Sequence, residues 1–255
     1  MPAAIEAAGL DIGYRLGTAS ITVLAGLDLR VEAGGFLSIL GPSGCGKSTF
    51  LRVVADLLDP MKGRISVLGS TPSESRSRRD VGFVFQDSTL LPWRTVRDNV
   101  RLPLEVGRHR LTRAIEDRSG ALLELMGLGA LADRYPAQLS GGQRQRAAIA
   151  RALNGAPRLL LMDEPFGALD EITRDRLNDE LLNIWRATGA TILFVTHSIM
   201  EAVYLGERVL VLAANPGRVV VDRDLRPLKA AGNRREDPAF VAMMADLRRS
   251  LETSE

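Results

Sequence analysis

The chain has 255 residues, enough for one large domain or for a domain that carries a subdomain. Apolar residues make up 45% and charged residues 25%, which is ordinary for a chain that folds in water. The net charge of +2 does not predict nucleic-acid binding, and no run of about 18 apolar residues predicts a membrane span. If the chain acts at a membrane, another chain must supply the spanning helices.

Short β-like runs alternate with helical patterns, which favours an α/β core. The N-terminal stretch, 5–31, is expected to form antiparallel β structure. The expected core strands are 36–40, 81–85, 159–162, 191–196 and 208–212. The third of them is continuously apolar, as is typical of a parallel strand buried on both faces. Candidate functional residues follow several of these strands directly, at the edge where open α/β sheets bind ligands.

A glycine-rich loop follows the first core strand, and a helix is expected after it over 48–58. The loop reads Gly-Pro-Ser-Gly-Cys-Gly-Lys-Ser-Thr, which is a phosphate-binding P-loop in its required context. Lys47 is placed to reach the β- and γ-phosphates of a nucleotide, and the Ser48 hydroxyl to ligate Mg²⁺. A simple glycine turn would not require Lys-Ser after its last glycine, so the motif predicts binding of ATP or GTP. The predicted nucleotide contacts are Gly41, Pro42, Ser43, Gly44, Cys45, Gly46, Lys47, Ser48 and Thr49.

Two features could suggest other activities, and each has a simpler structural interpretation. Cys45 is the only cysteine, so no internal disulfide is possible and a reducing compartment fits best. We expect it to serve as a small side chain in the P-loop, with a redox switch as the alternative. The basic run of Arg76, Arg78 and Arg79 is expected to lie in a solvated loop over 71–79.

The pattern turns helical between Pro92 and Pro157, with expected helices over 113–126 and 143–153. This change predicts a helical subdomain, about 92–156, inserted into the α/β core. Near the C-terminus, the spacing predicts an amphipathic helix over 238–251.

A second anion site is indicated where Ser140, Gly141 and Gly142 open the second of these helices, followed by Gln143. The serine hydroxyl, the glycine N–H groups and the helix N-terminus all favour a phosphate. One chain then carries two phosphate-binding elements but one P-loop. A head-to-tail dimer, in which this element of each chain covers the ATP of the other, explains both. An ordinary serine N-cap is the alternative from local physics.

Asp163 and Glu164 follow the most apolar core strand, in the arrangement called Walker B. Asp163 is expected to hold Mg²⁺ and Glu164 to orient and deprotonate water, a function that gives about 10²–10⁴-fold in rate. His197 follows another strand and is expected to contact the γ-phosphate. Gln86 also follows a strand, and its neutral amide can bind Mg²⁺ or water. We therefore predict Glu164, His197 and Gln86 as catalytic and Ser48, Gln86 and Asp163 as metal-binding residues.

In this order, the motifs resemble those of the ATP-binding subunit of an ABC transporter over about residues 5–223. The resemblance names residues 41–49 Walker A, Gln86 the Q-loop residue, 139–143 the signature, 167–170 the D-loop and His197 the switch histidine. It also places Tyr14 where an aromatic residue stacks on adenine. The implied architecture is a P-loop NTPase, RecA-like core, with an ABC ATP-binding domain over 1–223 and a tail over 224–255.

The resemblance also implies function and partners. The expected cofactors are ATP and Mg²⁺, and the expected assembly is an ATP-bound homodimer on transmembrane permease subunits, served by an external solute-binding protein, with no nucleic acid. The chain would lie peripherally at the cytoplasmic face of the inner membrane. The segment 87–93, with Leu90, Leu91 and Trp93, would contact the permease or pack locally. Residues 91–96 and 215–219 resemble the nitrate, sulfonate and taurine branch of bacterial importers.

Three alternatives remain open at this stage. A soluble ABC ATPase acting on ribosomes or DNA usually carries two cassettes or a long coiled-coil insertion, and this chain has neither. A P-loop kinase would not need the signature. An exporter remains possible because the direction of transport depends on the permease.

Overall fold

The computed structural model describes residues 2–17, 19–107, 112–167, 169–230 and 237–252. Its strands are β1 (Ala3–Leu16), β2 (Ala19–Glu32), β3 (Phe36–Leu40), β4 (Lys62–Val67), β5 (Val81–Val84), β6 (Leu159–Asp163), β7 (Thr191–Val195), β8 (Arg208–Ala213) and β9 (Arg218–Asp224). Its α-helices are α1 (Lys47–Val54), α2 (Pro72–Ser77), α3 (Val96–Val106), α4 (Arg113–Leu125), α5 (Gly141–Asn154), α6 (Glu171–Thr188), α7 (Ile199–Leu205), α8 (Arg226–Ala230) and α9 (Pro238–Glu252).

Two sheets form the framework of the molecule. The smaller sheet is antiparallel with the strand order β2-β1-β4, which confirms the β structure expected at the N-terminus. The larger sheet has the order β5-β6-β7-β3-β8-β9, with β9 antiparallel to β8 and the other strands parallel. The carboxyl ends of β5, β6, β7 and β3 therefore lie along one edge, where parallel sheets bind ligands.

The inner strands β3, β6, β7 and β8 of the large sheet are buried on both faces, as their apolar sequences predict. Along β6, Leu159 and Leu161 belong to the apolar cluster shared with α1 and the antiparallel sheet. Leu160 and Met162 belong to the opposite cluster, shared with α3, α4, α5 and α6. Successive residues of a strand point to opposite faces, so a short strand contributes to both cores.

The helices between β5 and β6 pack against one another as a group. Asn154, which is fully buried at the end of α5, donates from Nδ2 to the Val100 carbonyl of α3 at 2.9 Å. The same nitrogen lies 3.0 Å from the Ser119 hydroxyl of α4. One side chain thus joins three helices that are separated along the chain.

The C-terminal residues pack on the α/β core. The helix predicted over 238–251 is confirmed as α9, whose Phe240 and Leu247 are buried in a cluster with Val203 of α7 and Val209 of β8. This contact places α9 beside the helix that begins two residues after His197.

Two local predictions are wrong. Residues 72–77 form helix α2 where a loop was expected, because Thr71 and Glu74 make a capping box and Pro72 suits the first helical turn. The basic run is exposed, as expected, and Arg76 Nε lies 2.7 Å from Asp56 Oδ2 in a surface ion pair. The helix expected over 48–58 ends earlier, at Val54, and Asp56 has a φ of 58° that cannot continue an α-helix.

Candidate active site

The P-loop joins β3 to α1 and wraps around its own lysine. Lys47 Nζ donates to the carbonyl oxygens of Gly41 at 2.7 Å and Pro42 at 2.8 Å. Gly46, with a φ of 100°, immediately precedes α1, in a conformation that a side chain would strain. The loop therefore presents backbone N–H groups and a helix N-terminus at the edge of the sheet.

Cys45 lies beneath this loop, and its side chain is fully buried in the core shared with α1 and the antiparallel sheet. Burial raises the pKa of the thiol, although the neighbouring Lys47 opposes the shift. A buried thiol with a raised pKa is a poor nucleophile, which favours the small-side-chain interpretation over a redox switch. Only the backbone of Cys45 is then left to face a ligand.

Ser48 and Asp163 meet at the start of α1 and the end of β6. The Ser48 hydroxyl donates to Asp163 Oδ1 at 2.8 Å. Asp163 is buried, and its pKa is raised by desolvation and by the nearby Glu164 carboxylate, while the Ser48 hydrogen bond lowers it. The structure thus brings together two of the three residues predicted to bind the metal.

Glu164 is held between the two other residues predicted to be catalytic. Its Oε1 lies 2.6 Å from His197 Nε2, and its Oε2 accepts from Gln86 Nε2 at 3.3 Å. Its backbone has a φ of 47°, in the left-handed region, and its N–H donates to the Val195 carbonyl at 3.0 Å. A non-glycine residue in that region is uncommon and is a frequent feature of functional sites.

One pocket of about 410 Å³ gathers most of these groups. It is lined by Tyr14, Val23, Ser43, Gly44, Gly46, Lys47, Ser48, Thr49, Gln86, Glu164 and His197. Tyr14 comes from the antiparallel sheet and is 38% exposed, so its ring is accessible to a flat ligand group. Residues from both sheets therefore enclose a space whose floor is the P-loop.

The signature residues lie outside this pocket in the part of the chain that the structure describes. Ser140 caps α5: its hydroxyl accepts from the Gln143 N–H at 3.2 Å, and Gln143 Oε1 accepts from the Ser140 N–H at 2.8 Å. Ser140 therefore does act as an ordinary N-cap, as the alternative structural interpretation of this motif predicts. Ser140 and Gly141 are also exposed, so the helix N-terminus is open to a second molecule.

Several residues that support the site are not evident from the sequence motifs. Gln145 donates to the Phe85 carbonyl at 3.1 Å, and Arg151 donates to the carbonyls of Ser88 at 3.0 Å and Thr89 at 2.8 Å. Both donors belong to α5; Gln145 holds the residue before Gln86, and Arg151 holds the segment after it. The sequence shows that Gln145 and Arg151 can donate hydrogen bonds, but it does not show which carbonyl oxygens they reach.

A third supporting group surrounds His197. Ser198 caps α7 and Glu201 is buried close by, in a Ser-x-x-Glu spacing that is visible in the sequence as a helix start.

Of the D-loop motif, residues 167, 169 and 170 are described, and Ala168 lies outside the described residues. Asp170 caps α6 by accepting from the Thr173 N–H at 2.9 Å.

Comparison with known proteins identifies the family. A family model described as ABC transporter matches residues 24–167, more than half of the chain. The taurine import ATP-binding protein TauB of Rhizobium johnstonii is 44% identical over 92% of this chain and 91% of its own length. The aliphatic sulfonates import ATP-binding protein SsuB of Bacillus cereus is 40% identical over 79% of this chain and 78% of its own length.

Solved structures agree with this fold. The post-hydrolysis dimer of the ATP-binding cassette MJ0796, bound to ADP and Pi, matches with a TM-score of 0.79 and 35% identity over 87% of this chain and 99% of that one. The chain therefore belongs to the ABC transporter family. It is an ATP-binding subunit that hydrolyses ATP, and the predicted P-loop NTPase fold and importer branch are both confirmed.

Two further properties of the described residues concern membrane spans and metal-binding clusters. No helix among them combines the length and the apolar character needed to cross a membrane. They also contain no cluster of three or more His, Cys, Asp or Glu side chains arranged to hold a metal ion.

Proposed function

We propose that the chain is the ATPase subunit of an importer for small sulfonates such as taurine. The observation that carries this proposal is the single pocket that joins Tyr14, the P-loop, Gln86, Glu164 and His197, in a chain that resembles taurine and sulfonate import subunits. The two named solutes share a sulfonate group, which narrows the choice that the sequence leaves between nitrate, sulfonates and taurine.

We assign nucleotide binding to the floor and wall of the pocket. Tyr14 stacks on the adenine ring, since it is the accessible aromatic side chain at the pocket mouth. The P-loop N–H groups and the N-terminus of α1 bind the phosphates. Lys47 exchanges the Gly41 and Pro42 carbonyls, which it contacts in this structure, for the β- and γ-phosphate oxygens.

The residues at the end of β6 suit Mg²⁺. Ser48 and Asp163 offer two hard oxygen ligands that lie 2.8 Å apart, and Asp163 is buried. Mg²⁺ usually takes one or two protein oxygens together with substrate phosphates, so two such residues are sufficient. When bound, the ion neutralises charge on the phosphates. Gln86, on the other side of Glu164, supplies a neutral oxygen to the ion or to water.

Glu164 is the proposed general base. Its carboxylate accepts a proton from the attacking water, and the 2.6 Å contact with His197 sets the direction of that carboxylate. The His197 ring lies at the edge of the pocket, within reach of the γ-phosphate. The left-handed backbone of Glu164 lies directly after β6, where its carboxylate contacts His197 and Gln86.

The signature is proposed to complete the site of a second copy. Ser140 and Gly141 are exposed at the N-terminus of α5 and do not line the chain's own pocket among the described residues. A head-to-tail dimer places this N-terminus over the partner's phosphates, where its dipole and free N–H groups favour negative charge. The structure of the MJ0796 cassette bound to ADP and Pi is dimeric, which supports a dimer of this chain.

The segment after Gln86 is proposed to contact a transmembrane permease. Trp93 is 70% exposed, which fits a contact with the permease, while Leu90 packs against the core, which fits local packing. Buried Asn99 fixes the loop by donating to the Leu91 and Arg94 carbonyls, each at 3.1 Å. The chain would then lie at the cytoplasmic face of the inner membrane, with an external solute-binding protein delivering the solute.

The deciding experiment isolates the assembly and measures transport. A tagged Glu164→Gln chain is purified from solubilised native membranes with Mg-ATP, and co-purifying proteins are identified by mass spectrometry. The matched control carries Lys47→Ala as well. A multi-span permease retained with the first bait and depleted with the second supports the proposal.

The solute follows from the recovered complex. The wild-type complex is placed in proteoliposomes with the solute-binding protein that accompanies the permease, and ATP-dependent uptake of taurine, an alkanesulfonate and nitrate is compared. Sulfonate uptake without nitrate uptake supports the assignment. Recovery of ribosomal or DNA-repair proteins without any permease contradicts it.

A further inference from the structure

The turn that carries His197 is held by a buried carboxylate. The Thr196 hydroxyl donates to Glu201 Oε2, and the Ser198 N–H donates to the Thr196 hydroxyl at 3.0 Å. The Glu201 N–H in turn donates to the Ser198 hydroxyl at 3.3 Å. The residues on both sides of His197 are therefore fixed through Glu201, which is only 3% exposed.

Arg174 of α6 is the cationic partner of that carboxylate. Its Nε lies 3.4 Å from Glu201 Oε1, and its Nη2 donates to the Leu169 carbonyl at 2.8 Å. Burial raises the pKa of Glu201, while Arg174 and the Thr196 hydrogen bond lower it. A guanidinium is planar and permanently charged, so one side chain can donate a hydrogen bond to the Leu169 carbonyl while its charge lies in an ion pair with Glu201.

Leu169 extends this chain of contacts to the signature. A Cβ added to Gly142 would lie 2.7 Å from Leu169 Cδ2, so the leucine side chain rests directly on the signature glycine. Leu169 is itself buried. Continuous packing thus runs from Gly142 through Leu169 and Arg174 to Glu201 and the His197 turn.

We propose that Arg174 is a positioning residue, which ties the Leu169 segment to Glu201 and thereby keeps His197 in contact with Glu164. This inference rests on the proposed functions of His197 and Glu164. Because Leu169 lies on Gly142, the same tie connects the element that covers the partner's nucleotide to the chain's own catalytic pair.

Arg174→Lys tests this without leaving Glu201 unpaired, since the charge remains but the fork is lost. In the complete transporter we expect kcat for ATP hydrolysis to fall about 10–100-fold, as is typical when a group that orients a functional residue is removed. The dissociation constant of ATP for the isolated chain should stay within about twofold, because Arg174 does not touch the pocket. Glu201→Gln, which keeps an acceptor for Thr196 but removes the ion pair, should give the same division between rate and affinity.

The matched control is Arg176→Lys, on the same helix. Arg176 Nε lies 3.5 Å from Glu180 Oε1, an ion pair within α6 itself. We expect kcat and ATP affinity to remain at their wild-type values. A loss of ATP affinity in Arg174→Lys that matches its loss of rate would contradict a positioning function.

A double-mutant cycle separates positioning from general stability, and it measures coupling that contacts alone only suggest. In a His197→Ala background, Arg174→Lys should lower the rate by less than about twofold, since the residue it positions is gone. An equal fold-loss in both backgrounds would overturn the inference. A His197→Ala transporter with wild-type turnover would instead remove the proposed function of His197, and this inference with it, while leaving ATP binding untouched.

Discussion

At the scale of single residues, the site depends on groups held in conformations that local preference opposes. Glu164 adopts a left-handed backbone with a φ of 47°, which costs about 1–3 kcal/mol for a non-glycine residue. The Val195 carbonyl, His197 and Gln86 all contact it and hold it there. This strain gives the carboxylate one direction, toward the centre of the pocket.

Glu164→Gln should therefore separate binding from turnover. The amide keeps the shape of the side chain but cannot accept the proton of water, so we expect kcat to fall at least about 10²-fold. ATP binding should persist, because Lys47 and the P-loop are unchanged. Phosphate release and equilibrium ATP binding measure the two properties. Glu116→Gln, on the exposed surface of α4, is the control, and near-normal turnover in Glu164→Gln would remove this residue from the base function.

Lys47→Ala should instead weaken the binding of ATP. A charge-assisted hydrogen bond contributes about 1.5–3 kcal/mol, so its loss should weaken ATP binding by about 10–100-fold. Isothermal titration calorimetry of the isolated chain measures this directly. Lys62→Ala removes a lysine whose side chain is mostly exposed on β4, and its affinity should match the wild type. An unchanged dissociation constant in Lys47→Ala would contradict the P-loop assignment.

At the scale of elements, strand ends explain why residues distant in sequence meet. β3 and β6 each pair with β7 in the parallel sheet, with Ile39 and Asp163 both opposite Val195. At this level of the sheet lies Asp163, and two residues further along their strands come the P-loop and His197. Their relative positions depend on how firmly these strands are buried.

Leu161→Ala tests that dependence. Leu161 is fully buried in β6, and its truncation should lower the free energy of unfolding by about 2–5 kcal/mol. Urea denaturation followed by circular dichroism measures the change. Val220→Ala, at a partly exposed position of β9, should cost much less. Equal losses for the two variants would mean that burial of β6 does not set the stability of this edge.

The strands and helices also show which sequence patterns predicted structure correctly. The buried strands follow from apolar runs, and α5 and α9 follow from helical spacing. Helix α2 was missed although Thr71 and Glu74 have the spacing of a capping box. Helix α3 was not predicted, and it carries Pro103 in its interior, a residue that normally argues against a helix.

At the scale of the whole molecule, one chain holds two helix N-termini that are proposed to bind phosphate, and they face different surroundings. The N-terminus of α1 lies in the pocket, and that of α5 is exposed at Ser140. Since α5 contacts the Gln86 segment through Gln145 and Arg151, closure of a dimer on α5 would be felt at the segment proposed to touch the permease. Two ATP molecules closed between two chains can thus drive a change in a third.

Ser140→Arg should block that closure. The bulky cation occupies the place proposed for the partner's nucleotide, so a Glu164→Gln chain that also carries it should remain monomeric with ATP. Light scattering coupled to size exclusion measures the mass, and titration should show unchanged ATP binding by the monomer. Ser73→Arg, on exposed α2, should dimerise as Glu164→Gln alone does. An ATP-dependent dimer that persists in the Ser140 variant would contradict the shared site.

The sequence by itself determined the chemistry, because phosphate binding and water activation require particular residue types at short, fixed spacings. Lys47, Ser48, Asp163 and Glu164 were identifiable for that reason. The tertiary structure alone decided which distant groups support them. Arg174 reaches both Leu169 and Glu201, and Leu169 rests on Gly142, only because α6 packs beside α5 and α7. Contacts between elements depend on packing in three dimensions, and no local spacing specifies them.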